Sequence, residues 1–92
     1  MNKIINGKLY DTATAKLIAT YQNHDDDMIL DYFNDNLYQK KNAEYFIEHS
    51  YYADGRRFVS EIIPCSVGEA EKWAEVYLSG DEYMQIFGTV EE

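Results

Sequence analysis

The tetrapeptide Ser66-Val67-Gly68-Glu69 and its counterpart Ser79-Gly80-Asp81-Glu82 constrain this chain more than any other feature. In both, a serine and the glutamate three positions later can satisfy each other's free backbone amides, which marks the start of a helix. After the first, Ala70, Trp73, Ala74 and Tyr77 recur at i, i+3, i+4 and i+7 as one apolar stripe. After the second come Tyr83, Ile86 and Phe87, and Gly88 can end the helix. The C-terminal part is therefore expected to form one or two short helices whose apolar faces need a surface to cover them.

The preceding residues can supply that surface. Asn6-Gly7 between Lys3-Ile4-Ile5 and Lys8-Leu9-Tyr10 is the strongest short-range hairpin signal, because both turn residues tolerate positive φ. Asp11 or Thr12 can cap a short helix or turn through residues 13–15, and residues 17–21, β-branched and aromatic, read as a strand. Residues 24–36 read as a loop or short amphipathic turn, with Met28, Ile29, Tyr32 and Phe33 on its apolar side. Residues 37–40 lead through a turn at Lys41-Asn42-Ala43 into residues 44–52. In that run Tyr45, Ile47, His49 and Tyr51 share one face, and Glu44, Phe46, Glu48 and Ser50 the other. Asp54-Gly55 is a second hairpin signal, and the returning strand is expected to stop at Pro64, which cannot donate to a ladder. Strands followed by helices predict a single α+β domain over residues 1–92: a small antiparallel sheet of about three to five strands, packed by one or two C-terminal helices.

Composition excludes several classes. The 92 residues are too few for a two-domain enzyme. Nine tyrosines, four phenylalanines and a tryptophan exclude a disordered acidic tail. With 17 acids against eight bases and a formal net charge of −9, direct nucleic-acid binding is not expected, since phosphate affinity needs clustered Lys and Arg. Cys65 is the sole cysteine, so no intramolecular disulfide forms. No apolar run approaches the roughly 20 residues of a membrane span, and residues 1–7 lack the apolar stretch of a signal peptide. The expectation is a cytoplasmic protein without a membrane partner.

The inventory for catalysis is thin. Cys65 precedes a helix start, which can lower a thiol's pKa, but its base would have to be His24 or His49, and nothing in the sequence places either nearby. The His24-Asp25-Asp26-Asp27 run is rich in oxygen ligands, yet Ile29 and Leu30 break the calcium-loop pattern. No glycine-rich phosphate loop or nucleophile motif is present. The expectation is no enzyme, no cofactor and no metal; the catalytic alternative is a small metal-dependent hydrolase in which a histidine meets carboxylates in a pocket.

The charge is unevenly spread. Asp25, Asp26, Asp27, Asp31 and Asp35 form one cluster; Glu71, Glu75, Asp81 and Glu82 form another, in a region whose single base is Lys72. Glu71 and Glu75, four apart, repel each other on a helix. Either this charge only keeps the protein soluble, or it is an anionic surface for a basic groove on a partner protein, with Tyr51 and Tyr52 as aromatic contacts.

Three stretches together carry a resemblance: Lys3-Ile4-Ile5-Asn6-Gly7-Lys8-Leu9-Tyr10-Asp11-Thr12-Ala13-Thr14-Ala15; Leu37-Tyr38-Gln39-Lys40-Lys41-Asn42-Ala43-Glu44-Tyr45-Phe46; and Ile62-Ile63-Pro64 with Glu69-Ala70-Glu71-Lys72-Trp73-Ala74-Glu75 and Asp81-Glu82-Tyr83. The chain resembles short acidic proteins carried by phages and mobile elements of Gram-positive bacteria. In those proteins the turn after Lys41 carries Gly where this chain has Ala43, and a Gly-rich segment stands where this chain has Glu48-His49-Ser50-Tyr51-Tyr52. Such proteins include inhibitors of bacterial immunity, anti-CRISPR proteins among them. The resemblance implies a non-enzymatic inhibitor that mimics nucleic acid, acting in the bacterial cytoplasm on a host defence protein such as a CRISPR-Cas effector. A housekeeping interaction module, or a homodimer paired through a sheet edge, is the alternative; monomer and homodimer both stay open.

Overall fold

A computed structural model describes residues 1–23, 32–53 and 57–88. Asn6 and Gly7 adopt φ of 52° and 76°, the mirror-image turn that matches strand twist, and join β1 (Asn2–Ile5) to β2 (Lys8–Asp11) as a two-stranded hairpin. Asp11 then makes a turn and not a helix: its Oδ1 accepts from the Ala13 amide at 2.9 Å, and its carbonyl accepts from the Ala15 amide at 3.0 Å.

The larger sheet is a meander in the order β3-β4-β5-β6, all antiparallel. Its strands are β3 (Lys16–Asn23), β4 (Phe33–Gln39), β5 (Tyr45–Ala53) and β6 (Arg57–Cys65). The β4–β5 turn holds Ala43 at φ 73°, a conformation that costs an L-residue roughly 1–2 kcal/mol and a glycine almost nothing. Residues 54–56 lie outside the described part, so the Asp54-Gly55 turn is not seen; the register Ala53↔Arg57 closes β5 and β6 as a hairpin around it.

Two boundaries depart from the sequence reading. Phe33, Asn34, Asp35 and Asn36 are not loop but the first half of β4. Phe33, Asp35 and Leu37 alternate on the face where the helices pack, a period masked in the sequence by the helical spacing of the apolar residues before it. The last strand runs through Pro64, which pairs with Phe46, and ends at Cys65. As an outer strand, β6 can carry a residue without an amide hydrogen.

Both capping boxes form. At α1 (Val67–Tyr77) the Glu69 amide donates to Ser66 Oγ at 3.1 Å and the Ser66 amide to Glu69 Oε1 at 3.0 Å. At α2 (Gly80–Phe87) the Ser79 and Glu82 equivalents are both 3.2 Å, and Gly88 at φ 92° ends the helix.

The sheet is covered on both sides at one end. On one face Leu37, Tyr45 and Ile47 pack against Ala70, Trp73 and Ala74 of α1, with Tyr77, Tyr83 and Phe87 at the margin. On the other, Phe46 and Ile62 pack against Tyr10 of the hairpin, flanked by Ile5, Ala15 and Tyr38. Leu37 and Phe46, both fully buried, are the pivots of these two cores, placed on opposite faces by strand alternation. The chain is thus a small α+β fold: among the described residues, six strands in two sheets and two C-terminal helices.

Candidate functional site

The acidic residues fall into three environments. Asp25, Asp26, Asp27 and Asp31, with His24, lie outside the described residues. Asp35 does not belong to a surface patch. It is 6% exposed; its Oδ2 accepts from the Trp73 indole N–H at 3.0 Å and its Oδ1 pairs with His49 Nδ1. A buried carboxylate needs such partners, because an unpaired charge there is costly. The trio ties β4, β5 and α1 together. The rings of Phe33 and Tyr51 pack beside His49, with centroids at 5.7 and 5.3 Å.

Glu71, Glu75, Asp81 and Glu82 are brought together on the helix pair, with Glu69 at the start of α1. Glu75, Asp81 and Glu82 are exposed; Glu71 is half-buried and accepts from the Tyr83 hydroxyl at 3.1 Å, which bridges the two helices. Partial burial, together with that hydrogen bond, holds the Tyr83 hydroxyl above the usual tyrosine range. Lys72 is the single base between Ser66 and Gly88. Among the described residues no cation forms an ion pair with any of these five acids, whereas Glu44 is paired with both Lys8 (3.0 Å) and Lys40 (3.7 Å) at the hairpin end. The helix pair therefore carries a net excess of negative charge, five acids against Lys72.

Between the helices runs a groove of about 420 Å³ lined by Ala74, Glu75, Leu78, Ser79, Gly80, Tyr83 and Met84. Ala74, Ser79 and Gly80 are its smallest lining residues; Ala74 is fully buried, whereas Ser79 and Gly80 are exposed. Sequence reasoning missed this feature; Ala74 and Gly80 as small residues flanking Leu78 were the only signal for it.

Tyr51 and Tyr52 do not form a joint contact patch. Adjacent on β5, they point to opposite faces. Tyr51 packs on His49, and Tyr52 lies between Tyr32 and Phe58 at 5.6 and 5.4 Å; both tyrosines are half-buried.

The Cys65 thiol is half-buried beside the start of α1. Burial, reinforced by the charges of Glu69 and Asp35, pushes it up to about 11, so at neutral pH it is a thiol and not a nucleophilic thiolate. The helix terminus does not win, because burial of the thiol, with the charge of Glu69 next, opposes the thiolate. His49 meets a single carboxylate, and no group of three or more His, Cys, Asp or Glu side chains among the described residues could hold a metal ion. No helix among them is long and apolar enough to cross a membrane.

Comparison with known proteins finds no matching family model, no similar curated protein and no solved structure of significant likeness.

Proposed function

We propose that this chain is a non-enzymatic binding protein that lays its acidic α1–α2 face on a cationic, nucleic-acid-binding surface of another protein. The resemblance to small phage and mobile-element proteins puts that partner among bacterial defence proteins, of which a CRISPR-Cas effector is one kind. The observation that supports the reading is the set of carboxylates at Glu69, Glu71, Glu75, Asp81 and Glu82, collected on one helix pair against the single base Lys72 and ion-paired to no cation among the described residues. Complementary charge of this sort raises association rate and selectivity. Asp35 has no part in it, being committed inside the fold.

The test is affinity capture from lysate of a Gram-positive host. Retained proteins should be nucleic-acid binders, released both by added duplex DNA or RNA and by salt, since the screening length shrinks to about 3 Å at 1 M. Glu75→Lys combined with Asp81→Lys should release them as well; these exposed positions are chosen because Glu69 and Glu82 hold capping boxes and Glu71 holds Tyr83. Identical capture by that charge-reversed variant would defeat the reading.

A further inference from the structure

We infer that the groove between α1 and α2 is the docking site for a basic amphipathic helix of the partner protein. One large apolar side chain of that helix enters the groove, and its flanking lysines or arginines meet Glu71, Glu75 and Asp81. The inference rests on the reading just given and narrows it from a charged face to a particular occupant.

Three features select that occupant. First, the groove has a largely apolar lining: Ala74, Leu78, Tyr83 and Met84 contribute to it, and Met84 remains 39% exposed. At about 420 Å³ it lies within the roughly 300–1,000 Å³ range of binding pockets. Secondly, its charged neighbours have one sign. Glu75 is in the lining, Glu71 is fixed next to it by the Tyr83 hydroxyl, and Asp81 follows Gly80 in the first turn of α2. No lysine or arginine lines the groove, so a phosphate backbone would be repelled and a cationic peptide attracted. Thirdly, Glu71 and Glu75 are one helical turn apart, and a helix lying along α1 presents its own basic residues with the same period. An amphipathic helix set into a groove, with apolar anchors and charged flanks, is an established mode of peptide recognition.

Gly80 makes the test possible. A Cβ built there meets nothing within 4 Å, and its φ is not in the left-handed region, so Gly80→Leu can be accommodated and adds bulk at a lining position of the groove without changing charge. The probes are two labelled synthetic peptides of the same leucine and lysine composition. One has leucines at i, i+3, i+4 and i+7 on a single helical face; the other is scrambled. Fluorescence anisotropy should show the patterned peptide binding about tenfold more tightly than the scrambled one, a difference that one buried leucine can supply. Gly80→Leu should erase that preference while both peptides keep their weaker, salt-sensitive binding. Met84→Gln, at an exposed position, should reduce it in the same direction and stands in if Gly80→Leu melts early by circular dichroism. Equal binding of the two peptides to the unaltered protein, or a preference that survives both substitutions, overturns the groove assignment and leaves the electrostatic reading standing. Absence of binding by either peptide at low salt overturns the assignment and counts against the electrostatic reading too.

Discussion

The two helices begin alike and end up differently. Each opens with a serine–glutamate capping box, and each carries acids in its first turn. Yet α1 buries Ala70, Trp73 and Ala74 against the sheet, while α2 buries nothing completely and touches the core through the half-buried rings of Tyr83 and Phe87. Local chemistry decides where a helix starts; the surface it finds decides how firmly it is held. In short helices most stability comes from packing an apolar face, not from propensity. On this chain α1 belongs to the core and α2 is a flap laid on its margin.

That contrast can be broken or sharpened experimentally. The largest effect is expected at Trp73. Replacing it by alanine removes a buried ring and strands Asp35 Oδ2 without its donor, so denaturant unfolding should show a loss of about 3–5 kcal/mol. Phe87→Ala, the matching truncation on α2, should cost clearly less, because that ring is only half-buried against Tyr45. Equal losses would refute the division into core helix and flap.

A smaller effect tests the caps. Ser66→Ala and Ser79→Ala delete the same hydrogen bond, worth about 1 kcal/mol at a helix start. At Ser66 the loss should appear in global unfolding. At Ser79 it should appear mainly as faster amide exchange in residues 80–87, since a weakly packed segment opens without the rest.

The smallest effect is one of pH. Hydrogen bonds from the Ser66 backbone amide and, next, the Ser66 side chain hold the Glu69 carboxyl below its usual range. The folded value is lower than the unfolded one. Its contribution is therefore complete above about pH 4.3 and is lost as pH falls through the folded value. Protection at the N-terminus of α1, taken relative to the intrinsic exchange rate at each pH, should fall over that acid range, and Glu69→Gln should flatten the response.

What the sequence made legible was short-range. Asn6-Gly7 requires two positive φ values and so announced its hairpin; the two boxes announced their helices; alternation through residues 45–51 announced β5. What it hid depends on distant partners. Asp35 looks like one more member of an acidic run until Trp73, 38 residues away, and His49 close over it. Pro64 looks like a stop until the strand carrying it turns out to be an outer one. The acidic helix pair could be read as a charge bias, but not the groove inside it. That groove exists only because α2 folds back beside α1 and small side chains meet there.

The outer position of Pro64 matters beyond its own strand. A sheet with free margins can recruit further strands without limit, and the route is shortest where the margin is long, flat and fully supplied with donors. Here one margin lacks a donor at Pro64 and carries charge at Arg57 and Glu61, and the opposite one starts with Lys16 and is kinked by a bulge between Leu17 and Ala19. Margins so trimmed are poor templates for the addition of further strands, so growth of this sheet from copy to copy is opposed at both of its edges.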